Sequence, residues 1–252
     1  MLYRVKSIDN FTICSKDGTI GKIKELLFDD QKWDVRYMVA DTGNWLPGRK
    51  VLISPEFMLE LSQEKQCVNV DLIKKQIKDS PPLTSDVPVD RQRDKDYWGF
   101  FSLPESPLTK LPADQPDQEA LNRRELHERF EEEHSWDRHL RSTLAATGLT
   151  VEAPDGEVGQ IEDFIIDDQT WSVRYFIVKT SDWWPGHQVL VAPPWISKMN
   201  WGSSKIFVGI DREPFKSLEE FKSIEMLTRE YEIRLHASCN RIGYWADDPA
   251  CQ

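Results

Sequence analysis

Residues 17–55 are written a second time as residues 155–193, at a constant offset of 138, with eighteen of thirty-nine positions identical and no gap. Asp17-Gly18-Thr19-Ile20-Gly21-Lys22-Ile23 returns as Asp155-Gly156-Glu157-Val158-Gly159-Gln160-Ile161. Asp29-Asp30-Gln31-Lys32-Trp33-Asp34-Val35-Arg36-Tyr37 returns as Asp167-Asp168-Gln169-Thr170-Trp171-Ser172-Val173-Arg174-Tyr175, and Trp45-Leu46-Pro47-Gly48 as Trp183-Trp184-Pro185-Gly186. The match reaches outward through Leu2 with Leu140, Val70 with Val208 and Arg91 with Arg229. Whatever one copy folds into, the other must fold into as well. Residues kept in both copies are candidates for fold requirements, and chemistry present in one copy needs separate support.

Within a copy the signals are strand and turn. Thr12-Ile13-Cys14 leads into Lys16-Asp17-Gly18, a hairpin-type turn, because Asp-Gly readily supplies positive φ. A strand follows over Lys22 to Phe28, then a turn at Asp29 to Lys32, then the longest strand, Trp33 to Asp41. Period two places Trp33, Val35, Tyr37 and Val39 on one face of that strand, and the other face is also partly apolar, so a central position is expected. Pro47-Gly48 and Pro185-Gly186 mark turns, and Lys50 to Ser54, Gln188 to Ala192, Gln66 to Leu72 and Lys205 to Ile210 read as further strands. Leu72 to Lys78 reads as a short helix, Pro104 to Pro116 as an extended linker, and Asp117 to Ser142 as a charged helix with a narrow apolar stripe. Ser217 to Glu220 has a capping-box pattern, Met226 to Leu235 is helical in composition, and Tyr97-Trp98 and Tyr244-Trp245 close the two tails. The expected fold is mainly β with helical tails: two small tandem β-barrels related by duplication, over residues 1–80 and 140–215. A linker and helix over 81–139 and a helical tail over 216–252 complete the chain.

The chain carries 43 Asp plus Glu against 32 Lys plus Arg, a net charge of −11. That balance argues against direct binding to a nucleic-acid backbone, which calls for a basic surface. No apolar run reaches the roughly 18 residues of a transmembrane helix, and Met1 to Ser7 lacks the apolar core of a signal peptide. Cys14, Cys67, Cys239 and Cys251 make no CxxC and do not recur between copies, so they read as unpaired thiols in a reducing cytosol. The expected location is cytoplasmic.

The ordered set Asp-Gly-x-x-Gly-x-Ile, Asp-Asp-Gln-x-Trp-x-Val-Arg-Tyr and Pro-Gly-x-x-Val-Leu-Ile/Val-x-Pro resembles the PRC-barrel family over about residues 2–80 and 140–215. That family is named for the cytoplasmic barrel of the H subunit of photosynthetic reaction centres, and a similar barrel ends a bacterial ribosome-maturation factor. The chain resembles the stand-alone bacterial members with two barrels in tandem. The resemblance implies a small, strongly bent barrel and a role in binding or assembly, with no catalytic residues to transfer. The membrane helix of the H subunit and the N-terminal domain of the maturation factor have no counterpart here, so neither specific partner carries over.

The candidate residues fall into four groups. Asp29, Asp30, Asp167 and Asp168 are paired carboxylates at turns. A calcium site would need about six to eight oxygens, and an Asp side chain bonding the backbone two residues on is the simpler reading. Arg36 and Arg174 stand mid-strand and are expected in ion pairs, while Trp33, Trp171, Tyr37 and Tyr175 read as repeat core. Trp45, Trp183 and Trp184 precede the Pro-Gly turns and suit either a partner interface or the capping of a barrel end. His127, Glu131 and His134 share a helical face, but the two histidines lie about 10 Å apart along the axis, too far for one ion. His187 and His236 are isolated, with Arg49 and Trp98 at their repeat positions.

No Ser-centred elbow, phosphate loop, zinc spacing or dinucleotide fingerprint is present. The chain is therefore read as a non-enzymatic scaffold or adaptor without metal or cofactor. It is expected to bind another protein or to self-associate as a homodimer, its barrels packed about a pseudo-twofold axis or paired across the dimer. Two further readings are an accessory factor associated peripherally with photosynthetic or electron-transfer membrane complexes, without membrane insertion, and a ribosome-assembly factor acting through a ribosomal protein.

Overall fold

A computed structural model describes residues 1–43, 45–47, 49–80, 139–181, 184–216 and 220–247. The first copy supplies β1 (Leu2–Arg4), α1 (Val5–Ile8), β2 (Thr12–Ser15), β3 (Gly18–Asp29), β4 (Val35–Asp41), β5 (Lys50–Ile53), β6 (Met58–Ser62), β7 (Cys67–Val70) and α2 (Lys74–Asp79). The second supplies β8 (Leu140–Ser142), α3 (Thr143–Ala146), β9 (Thr150–Ala153), β10 (Gly156–Asp167), β11 (Val173–Thr180) and β12 (Gln188–Val191). It continues with β13 (Ile196–Asn200), β14 (Lys205–Val208), α4 (Glu213–Lys216) and α5 (Arg229–Ser238). The chain is mainly β, in two seven-stranded sheets of matching order, β5-β4-β3-β2-β7-β6 and β12-β11-β10-β9-β14-β13.

The seventh strand of each sheet comes from the other copy. β1 pairs with β10 through Leu2↔Asp167, Tyr3↔Ile166 and Arg4↔Ile165. β8 pairs with β3 through Leu140↔Asp29, Arg141↔Phe28 and Ser142↔Leu27. The two registers are the same register shifted by 138 at both partners. The compact units follow this exchange and not the chain order: one holds Met1–Asp9, Lys32–Val35 and Thr143–Gln252, the other Asn10–Gln31 and Arg36–Ser142.

Inside the unit built on β3, Leu140 is fully buried and packs with Leu27, Tyr37, Val39 and Leu52. The Ser142 hydroxyl donates to the buried Glu25 carboxylate. Asp30 takes His139 Nδ1 and Arg141 Nε, each at 2.9 Å, and its N–H donates to the His139 carbonyl at 2.9 Å. In the unit built on β10, Asp163 is 1 % exposed. It accepts from Arg4 Nε at 3.0 Å and from the Lys6 N–H at 3.0 Å, as a buried carboxylate must be paired to persist.

Each long strand serves three partners. β10 pairs with β9 over Gly156–Gln160, with β1 over Ile165–Asp167, and on its other edge with β11, with register shifts after Ile161 and Ile165. Such irregularities bend and twist a strand, which turns the sheet over its own core. The paths end at β5 and β6, and at β12 and β13, and among the described residues no ladder joins those ends.

Gly21 and Gly159, identical between copies, sit where the long strand passes closest to its neighbour. A Cβ there would enter contact distance of the Asp41 or Lys179 carbonyl. The Asp-Gly turns also behave alike. Gly18 and Gly156 take φ +125 and +133, and the Asp side chain before each accepts a backbone N–H, from Lys74 at 2.8 Å and from Arg212 at 3.0 Å.

Four expectations change. Trp33 and Trp171 precede the strands that begin at Val35 and Val173, and both adopt positive φ, +64 and +53. Their carbonyls accept from Val173 N–H and Val35 N–H, so the turn spends its backbone on a reciprocal bridge and cannot extend the ladder. Leu140 to Ser142, expected as the end of a helix, form a strand because β3 offers them an edge. β6 and β13 were not anticipated, since their alternation is weak. In the last tail the helix starts at Arg229, where Thr228 Oγ1 accepts from Tyr231 N–H at 3.3 Å. The proline-rich linker, the helix over 117–138 with His127, Glu131 and His134, and Tyr97-Trp98 lie outside the described residues, as does most of the Ser217 capping pattern.

Two outcomes follow from the exchange. Leu140→Ala should cost about 2–5 kcal/mol, and hydrogen exchange should accelerate in β3 of the first copy, with β10 unaffected. Gly159→Ala should cost about 1–3 kcal/mol by forced separation of β10 from β11, measured by denaturant unfolding.

Candidate functional site

Two places in the molecule gather functional side chains. The first is the Trp-Pro-Gly loop, present once in each unit. In the loop after β4, Thr42 is 2 % exposed and its hydroxyl contacts the carbonyls of Leu46 at 2.8 Å and Arg49 at 2.7 Å. At the end of β11, Thr180 does the same with the carbonyls of Trp184 and His187. This threonine pulls the loop closed and is identical in both copies. Sequence reasoning passed it over, although its identity at positions 42 and 180 was the available signal.

The loops differ in what they hold. Trp45 is half-buried, with Lys74 Nζ 5.7 Å from its ring. Trp184 is half-buried and stacks on His187, with centroids 4.2 Å apart and planes 13° from parallel. His187 is therefore not isolated. Trp183 lies outside the described residues.

The second place is a cleft of about 620 Å³ in the unit built on β10, bordered by Asp167, Arg174, Arg229, Glu232, Tyr244 and Trp245. Residues 224–247 supply its far wall. Asp167 ends β10 and accepts from Gln169 N–H at 3.1 Å, the ordinary Asp turn, and from Arg174 at 3.0 Å. Burial alone would raise the Asp167 carboxyl, but the Gln169 N–H and the Arg174 guanidinium hold it below its usual 3.8. Arg174 lies over the Tyr244 ring at 4.1 Å, and Arg229 faces Tyr244 at 5.3 Å and Trp245 at 4.6 Å.

Behind this ladder sits a buried polar cluster. Glu232, 2 % exposed, accepts from Tyr244 Oη at 2.9 Å and pairs with Arg229 at 2.8 Å, and its Oε1 lies 2.9 Å from Tyr175 Oη, whose one hydrogen is within reach of both Glu232 and His236. His236, 3 % exposed, approaches Tyr175 Oη through Nε2 at 3.1 Å, and its Nδ1 approaches the Ile242 carbonyl at 3.1 Å. The rings of Trp195 and Trp245 face His236 at 5.0 and 4.9 Å. Burial and the Glu232 charge push the Tyr175 phenol up, and push Tyr244 to about 12. Burial pushes the nearby Cys239 thiol to about 11, so it stays protonated and is no nucleophile at neutral pH. These groups hold one another, and each charge in the cleft already has a partner. The chemistry is that of a fastening.

The candidates separate as follows. Asp167, Arg174 and Tyr175 come together around the cleft, while Asp29 keeps a turn, bonding Gln31 N–H at 2.8 Å. Asp30 serves the exchanged strand, and the backbone N–H of Asp168 donates to the Met1 carbonyl at 3.0 Å in the matching place. Trp33 stands edge-on to Phe176 at 5.3 Å. Glu232 and His236 were missed because their repeat positions carry Asp94 and Trp98. Among the described residues no group of three His, Cys, Asp or Glu is arranged for a metal, and Cys14, Cys67 and Cys239 are unpaired.

Comparison with known families matches residues 2–77 to the PRC-barrel domain, so the resemblance carried by the motifs holds over the first copy. The match begins in β1, the strand that pairs with the second copy's β10. PRC-barrel domains are generally non-enzymatic. No curated protein matches the chain.

The Asp167 pair sets a pH dependence. A carboxylate held below its usual value adds stability that is present above about pH 4 and lost as pH falls through the lowered value. Asp167→Asn should therefore be less stable at neutral pH and should show part of the acid sensitivity of the wild type removed, both read by thermal unfolding across pH. Tyr175→Phe should cost about 1–3 kcal/mol, because buried polar partners lose a hydrogen bond, read in the same assay.

Proposed function

We propose that this chain is a non-enzymatic assembly module of two PRC-type units that binds a protein partner through its Trp-Pro-Gly loops. The carrying observation is the loop itself: both copies keep Thr, Trp, Pro and Gly at matching positions, a buried threonine locks each loop, and Trp45 in one and Trp184, which stands opposite Leu46, in the other stay partly open. A rigid aromatic on a pre-set loop supplies contact area at little entropic cost. The PRC-barrel match over residues 2–77 agrees with a binding role. The acidic balance of −11 favours a partner with basic surface over nucleic acid. The unpaired cysteines suit a reducing cytoplasm. No helix among the described residues is long and apolar enough to cross a membrane, so a role beside a membrane complex would be peripheral.

The experiment is affinity isolation of the full chain from its native cells, with the reciprocal isolation from the partner, against Trp45→Ala and Trp184→Ala. Loss of the partner with unfolding stability within about 0.5 kcal/mol of wild type, the range of most surface substitutions, supports the loops as the contact. Retention of the partner by the double variant overturns it. Light scattering on the same samples decides whether the partner is a second copy.

A further inference from the structure

The tail over residues 224–247 is fastened to β11 by a cluster with one weak point, the ring of His236. Its Nδ1 faces a carbonyl oxygen, that of Ile242, so Nδ1 carries a hydrogen. Its Nε2 faces Tyr175 Oη, whose single hydrogen is also within reach of Glu232 Oε1. In the neutral ring Nε2 accepts from Tyr175, and Glu232 keeps Tyr244 and Arg229. A proton added at Nε2 turns the Tyr175 hydroxyl toward Glu232, which costs little by itself. What it adds is a second cation in a closed place.

That place already holds one cation. Arg229 lies 4.6 Å from the Trp245 ring, and His236 faces the same ring at 4.9 Å. The charged and titratable groups gathered around the His236 ring are Tyr175 of β11, Arg229 and Glu232 of its own helix and Tyr244 of the closing turn, with Arg174 stacked behind Tyr244. The turn at 193–195 presents only Trp195. Glu232, the one anion, has both oxygens committed.

We propose that His236 is a proton-operated catch: its neutral ring holds the 224–247 tail on β11, and protonation releases the tail and opens the face it covers. Release would uncover Tyr175 and Trp195, which are 0 % and 3 % exposed with the tail in place. Burial, and the Arg229 charge, hold the His236 ring below its ordinary value of 6.5. The sign is therefore that of a depressed group. The stabilisation is complete above the free-histidine range and is lost as pH falls through the lowered value. The catch is specific to the second copy, where His236 stands opposite Trp98.

The test is hydrogen exchange by mass spectrometry on the full chain between about pH 7.5 and pH 5, the range over which histidine changes charge, corrected for intrinsic exchange. Protection over residues 229–239 should fall about tenfold or more, the equivalent of a shift of one pKa unit, with protection in β10 unchanged. His236→Gln should remove that pH dependence. Corrected protection that stays flat in wild type, or a pH dependence that survives in His236→Gln, overturns the proposal. If His236→Gln fails to fold, the ring is titrated directly in wild type by its nitrogen resonances. A midpoint below the free-histidine value supports the catch, and a midpoint at or above it overturns it.

Discussion

Everything in the two sheets depends on a three-residue ladder added to the far end of a twelve-residue strand. β3 and β10 are each too long for one neighbour, and after β2 and β9 turn away their last residues still need partners on that edge. Unpaired backbone groups in a buried edge are costly. The leading strand of the opposite copy supplies them, and it brings the side chains that the site requires. Leu140 fills the pocket of Leu27, Tyr37, Val39 and Leu52, and Arg4 neutralises Asp163. Neither copy is finished without residues from the other.

The same logic explains what duplication keeps and what it lets change. Gly21 and Gly159, Asp17 and Asp155, and Thr42 and Thr180 meet backbone demands, namely close strand approach, anchoring of an N–H and closure of a loop. Those demands are set by chain geometry and recur in both copies. The side chains around the second tail meet a different demand. Glu232, His236, Tyr244 and Trp245 fasten one particular segment to β11, and no backbone rule requires the first copy to repeat them. The sheets are thus the invariant part of the molecule, and its responsive part lies in the tail.

Much of this was legible in the residues. The neighbours β2-β3 and β4-β5 follow from the Asp-Gly and Pro-Gly turns between β-branched runs, because turn chemistry and period two act locally, whereas the parallel pairing of β2 with β7 does not. The pairing of Leu2 with Leu140 in the alignment also marked both as members of the repeat. Leu140 to Ser142 were read as the end of a helix and form a strand because a short, weakly apolar segment takes its structure from whatever edge it meets. Trp33 and Trp171 were read as strand residues because period two cannot register a positive φ. His236 looked isolated because its partners lie on β11 and in the turn after α5.

The sequence by itself determined that the chain is mainly β, that it is built twice, and that its turns fall at matching places, since these depend on contacts within a few residues. Only the tertiary structure decided which copy's leading strand completes which sheet. The two choices have the same local sequence, and they differ in what lies against Asp163 and Glu25 far along the chain. It also decided that Tyr175, Glu232 and His236 form one cluster. Their meeting depends on a helix packing across a sheet 57 and 61 residues away, a distance over which no local pattern carries information.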